Sequence, residues 1–278
     1  MKRWIALSAA AAVVAVVLVI AGVGGSGPDT APRSTIADAA AATSATTGYR
    51  VALNATVDTP EQDTPTKMTG RGVVDPRGRR GRQTLTFGGI EMEQVYAGFV
   101  FYMRSPVFAA ALPKGKSWVR MDVQRLGRRL GLDFGQMASG DPSQSLDQLR
   151  AVSGDVERLG RDRVRGVAAT HYRATVDLRR YPNLVPPARR AAVRAGVKRI
   201  AELTGLERFP QEVWVGSDGR IRRLALEYSV RPPGVDGKVT TKLTMELYGF
   251  GVPVEVDVPP EDEVEDFTEI ASGALANQ

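Results

Sequence analysis

The 278-residue chain has no cysteine and a single histidine. The first absence excludes disulfides, thiol nucleophiles and thiolate metal sites. The second leaves His171 as the one imidazole for acid–base or nucleophilic chemistry, and no G-x-S-x-G elbow accompanies it. His171 falls on the same strand face as Arg173, Thr175 and Asp177, which makes it an exposed side chain of a polar face. No repeat occurs at solenoid spacing. The acidic run Glu261–Asp266 lacks the glycine turn and spacing of a calcium loop and is not expected to be a metal site; the acidic tail Glu261–Glu269 is expected to be a solvated segment or frayed helix. Gly22 to Gly27 formally matches G-x-G-x-x-G, but an apolar run precedes it and Pro28 follows, where a dinucleotide fingerprint needs a strand and a helix. No cofactor is expected, and the chain is not expected to be an enzyme.

The 37 basic and 31 acidic residues give a net charge of +6. They are interspersed along the chain, without the basic stripe of a nucleic-acid surface, so no nucleic-acid partner is expected. A basic face remains available to anionic lipid headgroups.

Long uncharged runs occur once. Lys2 and Arg3 precede Trp4–Val23, which carries no charged side chain. The order fits an export segment with its positive end in the cytoplasm. Its length suits either an uncleaved anchor or a cleaved signal. Residues 1–33 are assigned to this signal or anchor and its Gly/Pro/Ser-rich linker. Residues 34–278 form a single domain, large enough to bury a core without covalent staples. The chain is therefore expected outside the cytoplasm, in the cell envelope or secreted.

After the linker, Ser34 is a plausible N-cap for a short alanine-rich helix over Thr35–Ala45. From Tyr49 the period changes to two: Tyr49, Val51, Leu53, Ala55 and Val57 alternate with more polar neighbours, as a half-buried strand requires. Further strands are expected over 66–74, 82–87, 91–96, 99–104, 116–122, 155–164, 167–178, 211–215, 220–230 and 238–248, with a short one at 254–258. Turn signals at Asp75–Gly78, Ala97-Gly98, Arg165-Gly166, Asp218-Gly219 and Asp236-Gly237 join many of them as hairpins. Helices are expected at Ser143–Val152 and, from Pro186-Pro187 to Gly205, at 188–204. The second helix carries Val193, Val197 and Ile200 on one stripe, flanked by Arg189, Arg190, Arg194, Lys198 and Arg199. The fold class is α+β: a strongly curved antiparallel sheet, a half-barrel, with helices on its concave side.

Several segments occur in an order that resembles a known family. These are Thr43–Val51, Gly115–Asp122, Asp141–Leu149, Gly160–Gly166 running into Thr170-His171-Tyr172, and Glu212–Arg223. The order resembles actinobacterial envelope lipoproteins of the LppX/LprG type, which share the LolA-like fold. The resemblance spans roughly Ser34 to Asp266. It implies a half-barrel wrapped around helices with an apolar cavity between, and a role in binding or shuttling acylated lipids and glycolipids. One departure stands out: Ser26 occupies the place of the lipidated cysteine, and a serine hydroxyl cannot form the thioether. The resemblance supplies no catalytic motif.

The expectation is a non-enzymatic envelope carrier or chaperone holding acyl chains of a lipid or glycolipid in an apolar cavity. The concave wall is assigned to Val51, Leu53, Leu85, Phe87, Tyr172, Val176, Leu243, Met245 and Leu247. The helix with Arg189, Arg190, Arg194, Lys198 and Arg199 is assigned to the membrane surface. The competing expectation is an envelope sensor or protein-interaction scaffold whose core is filled by its own side chains.

Overall fold

The computed structural model describes residues 31–60, 62–109, 112–129, 153–184, 187–205, 207–230 and 236–271. The export segment and the helix expected at Ser143–Val152 lie outside the described residues. Among the described residues, no helix is long and apolar enough to cross a membrane.

The chain enters through helix α1, Ala31–Ser44. The helix starts earlier than the linker reading allowed, so Ser34 lies inside it rather than at its cap. Pro32 in the first turn suits this start, because the amide it lacks would have no helical partner there. Twelve strands follow: β1 (Tyr49–Asp58), β2 (Thr66–Asp75), β3 (Arg80–Phe87), β4 (Ile90–Ala97), β5 (Val100–Arg104), β6 (Trp118–Asp122), β7 (Ser153–Val164), β8 (Val167–Asp177), β9 (Arg208–Gly216), β10 (Ile221–Val230), β11 (Val239–Tyr248) and β12 (Val264–Asp266). Short helices α2 (Pro106–Ala109) and α3 (Val123–Arg129) flank β6. A 3-10 segment, Leu178–Leu184, leads toward helix α4, Arg190–Thr204.

All twelve strands form one curved, unclosed sheet in the order β12-β6-β5-β4-β3-β2-β1-β11-β10-β9-β8-β7. Every neighbouring pair is antiparallel except β12 with β6. The hairpins follow their turn chemistry. At the β7–β8 turn both Arg165 and Gly166 have positive φ, as a tight two-residue connection requires.

Register places inward side chains in rows across the sheet. One row runs Tyr49, Val74, Gly81, Tyr96, Phe101 and Met121 over β1 to β6. The next runs Leu247, Val51, Gly72, Gln83, Gln94, Met103 and Val119. A third runs Met245, Leu53, Gly70, Leu85 and Met92. Three glycines therefore occupy inward positions on β2 and β3. Their φ values are ordinary; the reason for glycine is space. A Cβ on Gly72 would lie 2.3 Å from the Arg82 carbonyl oxygen, and one on Gly81 2.6 Å from the Tyr96 ring. Curling a sheet toward one face crowds that face, and glycine is what leaves room for the bend.

The inner face carries the main core. Val51, Leu53, Leu243, Met245 and Leu247 pack with Tyr172, Val213 and Leu226 and with Ile36, Ala39 and Ala40 of α1. Thr43, fully buried near the end of α1, accepts a hydrogen bond from the Ile221 amide at 2.9 Å and donates to the Ala39 carbonyl at 2.6 Å. This fixes α1 against β10 with no buried polar group left over.

The acidic run corrects an expectation. Rather than a solvated tail, Glu261–Glu263 forms a 3-10 turn and Val264–Asp266 adds β12 in parallel to β6. Its charges have partners: Asp266 meets Arg125 at 2.5 Å and Arg120 at 3.7 Å, and Glu263 accepts from the Ser117 hydroxyl at 2.9 Å. Thr268, fully buried, accepts from the Asp122 amide. The short strand expected at 254–258 does not form, and that stretch is irregular.

The two β2 glycines give a differential test. Gly72→Ala drives its methyl into backbone and is expected to lower unfolding free energy by about 1–3 kcal/mol. The methyl of Gly70→Ala meets the end of the Leu85 side chain, which can rotate away, so its loss should be smaller. Urea melts of both variants check the order; equal losses would contradict the close backbone approach at Gly72.

Candidate functional site

Of the nine expected wall residues, the eight whose side chains are described lie on the inner side of the sheet. Val51, Leu53, Leu85, Tyr172, Leu243, Met245 and Leu247 are buried, with Leu53 and Leu247 only 2% exposed. Phe87 is half-buried against the same cluster. Val176 pairs with Phe209 in the β8–β9 register, and its side chain lies outside the described set. Alternation along β1 and β11 brings this wall together, and the antiparallel register sets Val51 beside Leu247 and Leu53 beside Met245.

Within this wall lies a polar island. Gln83 and Gln94 face each other across β3 and β4, both buried, with the Gln83 amide donating to the Gln94 carbonyl oxygen. One row over, Tyr96 is 4% exposed and stacks on Phe101 at 5.6 Å. Its hydroxyl has no hydrogen-bond partner in the structure. Burial pushes both Tyr96 and Tyr49 well above the usual phenol range, and Tyr49 and Asp75 add to the shift on Tyr96. Both phenols therefore stay neutral. A polar residue at an inward phase of the alternation was the available signal for Gln83, Gln94 and Tyr96; the apolar wall assignment passed over it.

On the outer face His171 departs from the expectation of an unremarkable exposed side chain. Its ring stacks on Trp214 with centroids 3.9 Å apart and planes 9° apart, and Nε2 lies 2.9 Å from Glu212. The phase was right, but a neighbouring indole half-covers that face of the ring. The network continues outward. Glu212 accepts from Arg173 at 2.9 Å, the Trp214 indole N–H donates to Asp162 at 2.9 Å, and Arg223 bonds Glu246 at 2.8 Å. Burial pushes the Glu212 carboxyl up, but its hydrogen bonds from Arg173 and His171 outweigh this and hold it below its ordinary range. His171 and Glu212 thus form a paired strut. Among the described residues no group of three His, Asp or Glu side chains could hold a metal ion.

Two depressions open to solvent. One, of about 670 Å³, crosses the outer face over Asn54, Thr56, Thr69, Thr244 and Ala225, with Lys67 and the Lys242–Glu227 pair at its rim. The other, about 510 Å³, lies between the 178–184 segment and α4 and is lined by Arg179, Arg194, Val197 and Lys198. Of the helix cations expected to face a membrane, Arg190, Arg194 and Lys198 are exposed, and Lys198 pairs with Glu202 at 3.7 Å. The side chains of Arg189 and Arg199 lie outside the described set. Helix α4 rests chiefly on the 178–184 segment rather than on strands.

That segment is tied to the sheet by Asp177. Its buried carboxylate accepts from the Arg179 guanidinium at 2.9 and 2.7 Å and from the Arg179 amide at 3.1 Å.

No family model matches the sequence. A curated relative from Streptomyces griseus, described as an uncharacterized 31.2 kDa protein in the rplA-rplJ intergenic region, is 31% identical over 169 residues. That match covers 58% of this chain and spans about half, 52%, of the relative's length. Among solved structures, the lipoprotein LppX of Mycobacterium tuberculosis superposes with a TM-score of 0.51 and 14% identity, over 83% of this chain and 100% of LppX. LprF of Mycobacterium bovis aligns with a TM-score of 0.42 and 14% identity, over 84% of this chain and 99% of LprF. The chain therefore shares the LppX fold, the architecture that the sequence resemblance implied.

Arg179 hydrogen bonding holds the Asp177 carboxyl at about 2, below its ordinary 3.8. A depressed folded-state value contributes stability above the unfolded value, and that stability is lost as pH falls through the folded one. The contribution of Asp177 should thus be complete above pH 4 and disappear toward pH 2. Asp177→Asn is expected to cost about 1–3 kcal/mol at neutral pH and to flatten the stability profile between those limits. Denaturation followed from pH 6 to pH 2 checks this; an unchanged slope would contradict it.

Proposed function

We propose that this protein is a non-enzymatic carrier or chaperone in the cell envelope that holds the acyl chains of a lipid or glycolipid against the inner face of its sheet. The observation that carries the reading is the continuous apolar wall over β1 and β11, extended by Leu85, Phe87 and Tyr172, on a single curled sheet. Its fold, shared with LppX, is consistent with the role that the sequence resemblance implies.

Solvent exclusion would supply the affinity. Each methylene taken from water contributes about 0.8 kcal/mol, so long chains need few directed bonds. Among the described side chains, the buried apolar contacts that α1 supplies to the inner cover are Ile36, Ala39 and Ala40, two of them alanine. Acyl chains that replace these small side chains on the wall would lose little packing and gain chain burial. The exposed cations Arg194 and Lys198, which line the 510 Å³ depression, and Arg190 on the same helix would meet anionic headgroups at a membrane surface. Residues 1–33 would deliver the domain across the membrane and either stay as its anchor or be removed.

A second reading is favoured by one observation. Wall residues at 2–8% exposure describe a closed core in this conformation. That is the state expected of a sensor or scaffold that recognises a protein partner and never opens.

Native mass spectrometry of the gently extracted full-length protein separates the two. The carrier should show acyl-lipid adducts and take up labelled phospholipid, and His171→Ala should leave uptake unchanged. A bare polypeptide mass together with no uptake would reject the carrier and leave the scaffold.

A further inference from the structure

The one buried hydroxyl without a partner among the described side chains is that of Tyr96, and it sits on the inner wall. A buried polar group left unbonded is expensive, which makes such groups rare and informative. The surroundings hold it in place. Gly81, directly across in register, has no side chain, and any Cβ there would strike the Tyr96 ring at 2.6 Å. Phe101 stacks on the ring from β5. The phenol is thus clamped flat between a glycine and an aromatic ring, and its hydroxyl does not turn toward a protein acceptor.

We infer that Tyr96 marks the polar subsite of the inner wall, where its hydroxyl donates a hydrogen bond to the carbonyl oxygen of an ester- or amide-linked acyl group. This rests on the carrier reading and deepens it by naming the linkage recognised. The chemistry of the neighbourhood selects a neutral acceptor. Asp75 is close enough to act on Tyr96 electrostatically and would repel an anionic oxygen. Asp75 is itself occupied, accepting from the Gly78 amide at 2.8 Å and from Arg80 at 3.1 Å, so it does not serve Tyr96. The adjoining inward row holds the uncharged Gln83–Gln94 pair. From Tyr96 on β4 to the wall on β1 is three strand spacings, about 14 Å. A linkage held at Tyr96 would therefore set its hydrocarbon chain on the same inner side as Val51, Leu53 and Leu247.

The test compares two probes on the full-length protein: a diacyl phosphatidylglycerol, with ester carbonyls, and its dialkyl ether analogue, without them. Wild type is expected to bind the ester form about three- to tenfold more tightly, the range of one net hydrogen bond. Tyr96→Phe should weaken only the ester form and bring the two affinities together. The lipid-free variant should melt at or above wild type, since an unbonded hydroxyl has been removed, and this separates lost recognition from lost folding. Equal affinity for both probes in wild type, or an ester preference that survives in Tyr96→Phe, overturns the inference while leaving a carrier. Failure of wild type to bind either probe overturns the carrier reading itself.

Discussion

Between β2 and β3 the sheet has no room on its inner side for a single methyl group at Gly72, where an added Cβ would meet the Arg82 carbonyl oxygen at 2.3 Å. At Gly70 and Gly81, in the rows on either side, the space is taken by the Leu85 and Tyr96 side chains. This closeness lets a twelve-stranded sheet bend toward one face instead of splaying flat. The inner rows carry separate apolar clusters: Leu247, Val51 and Leu53 in one, Met103 and Val119 in another.

The outer face is held by a different force. The pairs Arg173–Glu212 and Arg223–Glu246 tie neighbouring strands, Arg165 of the β7–β8 turn reaches across to Glu246 on β11, and Arg165 and Arg223 lie over the rings of Tyr248 and Trp214. Each exposed pair contributes little alone. Together they brace this part of the outer face. The docked acidic run belongs to the same scheme, with Asp266 seated between Arg120 and Arg125.

Much of this was legible in the sequence, and the reasons are local. Period-two alternation from Tyr49 onward reveals strands because one face is buried. Dipeptides such as Arg165-Gly166 reveal turns because the backbone there needs positive φ. What stayed hidden depends on partners distant in the chain. β12 forms only because β6, some 140 residues earlier, offers an edge, with Arg120 on it and Arg125 on the following helix, so Glu261–Asp266 looked like solvated charge. The His171 stack needs Trp214 from the next strand over. The inward Gln83, Gln94 and Tyr96 were visible in phase. Their meaning emerged only when register placed them in adjoining rows, beside glycines that make the space they occupy.

The central claim is that the curled inner face, rather than the polar outer face with its larger depression, is where apolar cargo lies. A phospholipid carrying a photoreactive acyl tail, cross-linked to the full-length protein and mapped by peptide mass spectrometry, measures this most directly. The account predicts label on inward residues of β1 and β11, such as Leu53, Leu243 and Leu247. Label confined to the outer face around Asn54, Thr69 and Thr244 would contradict it.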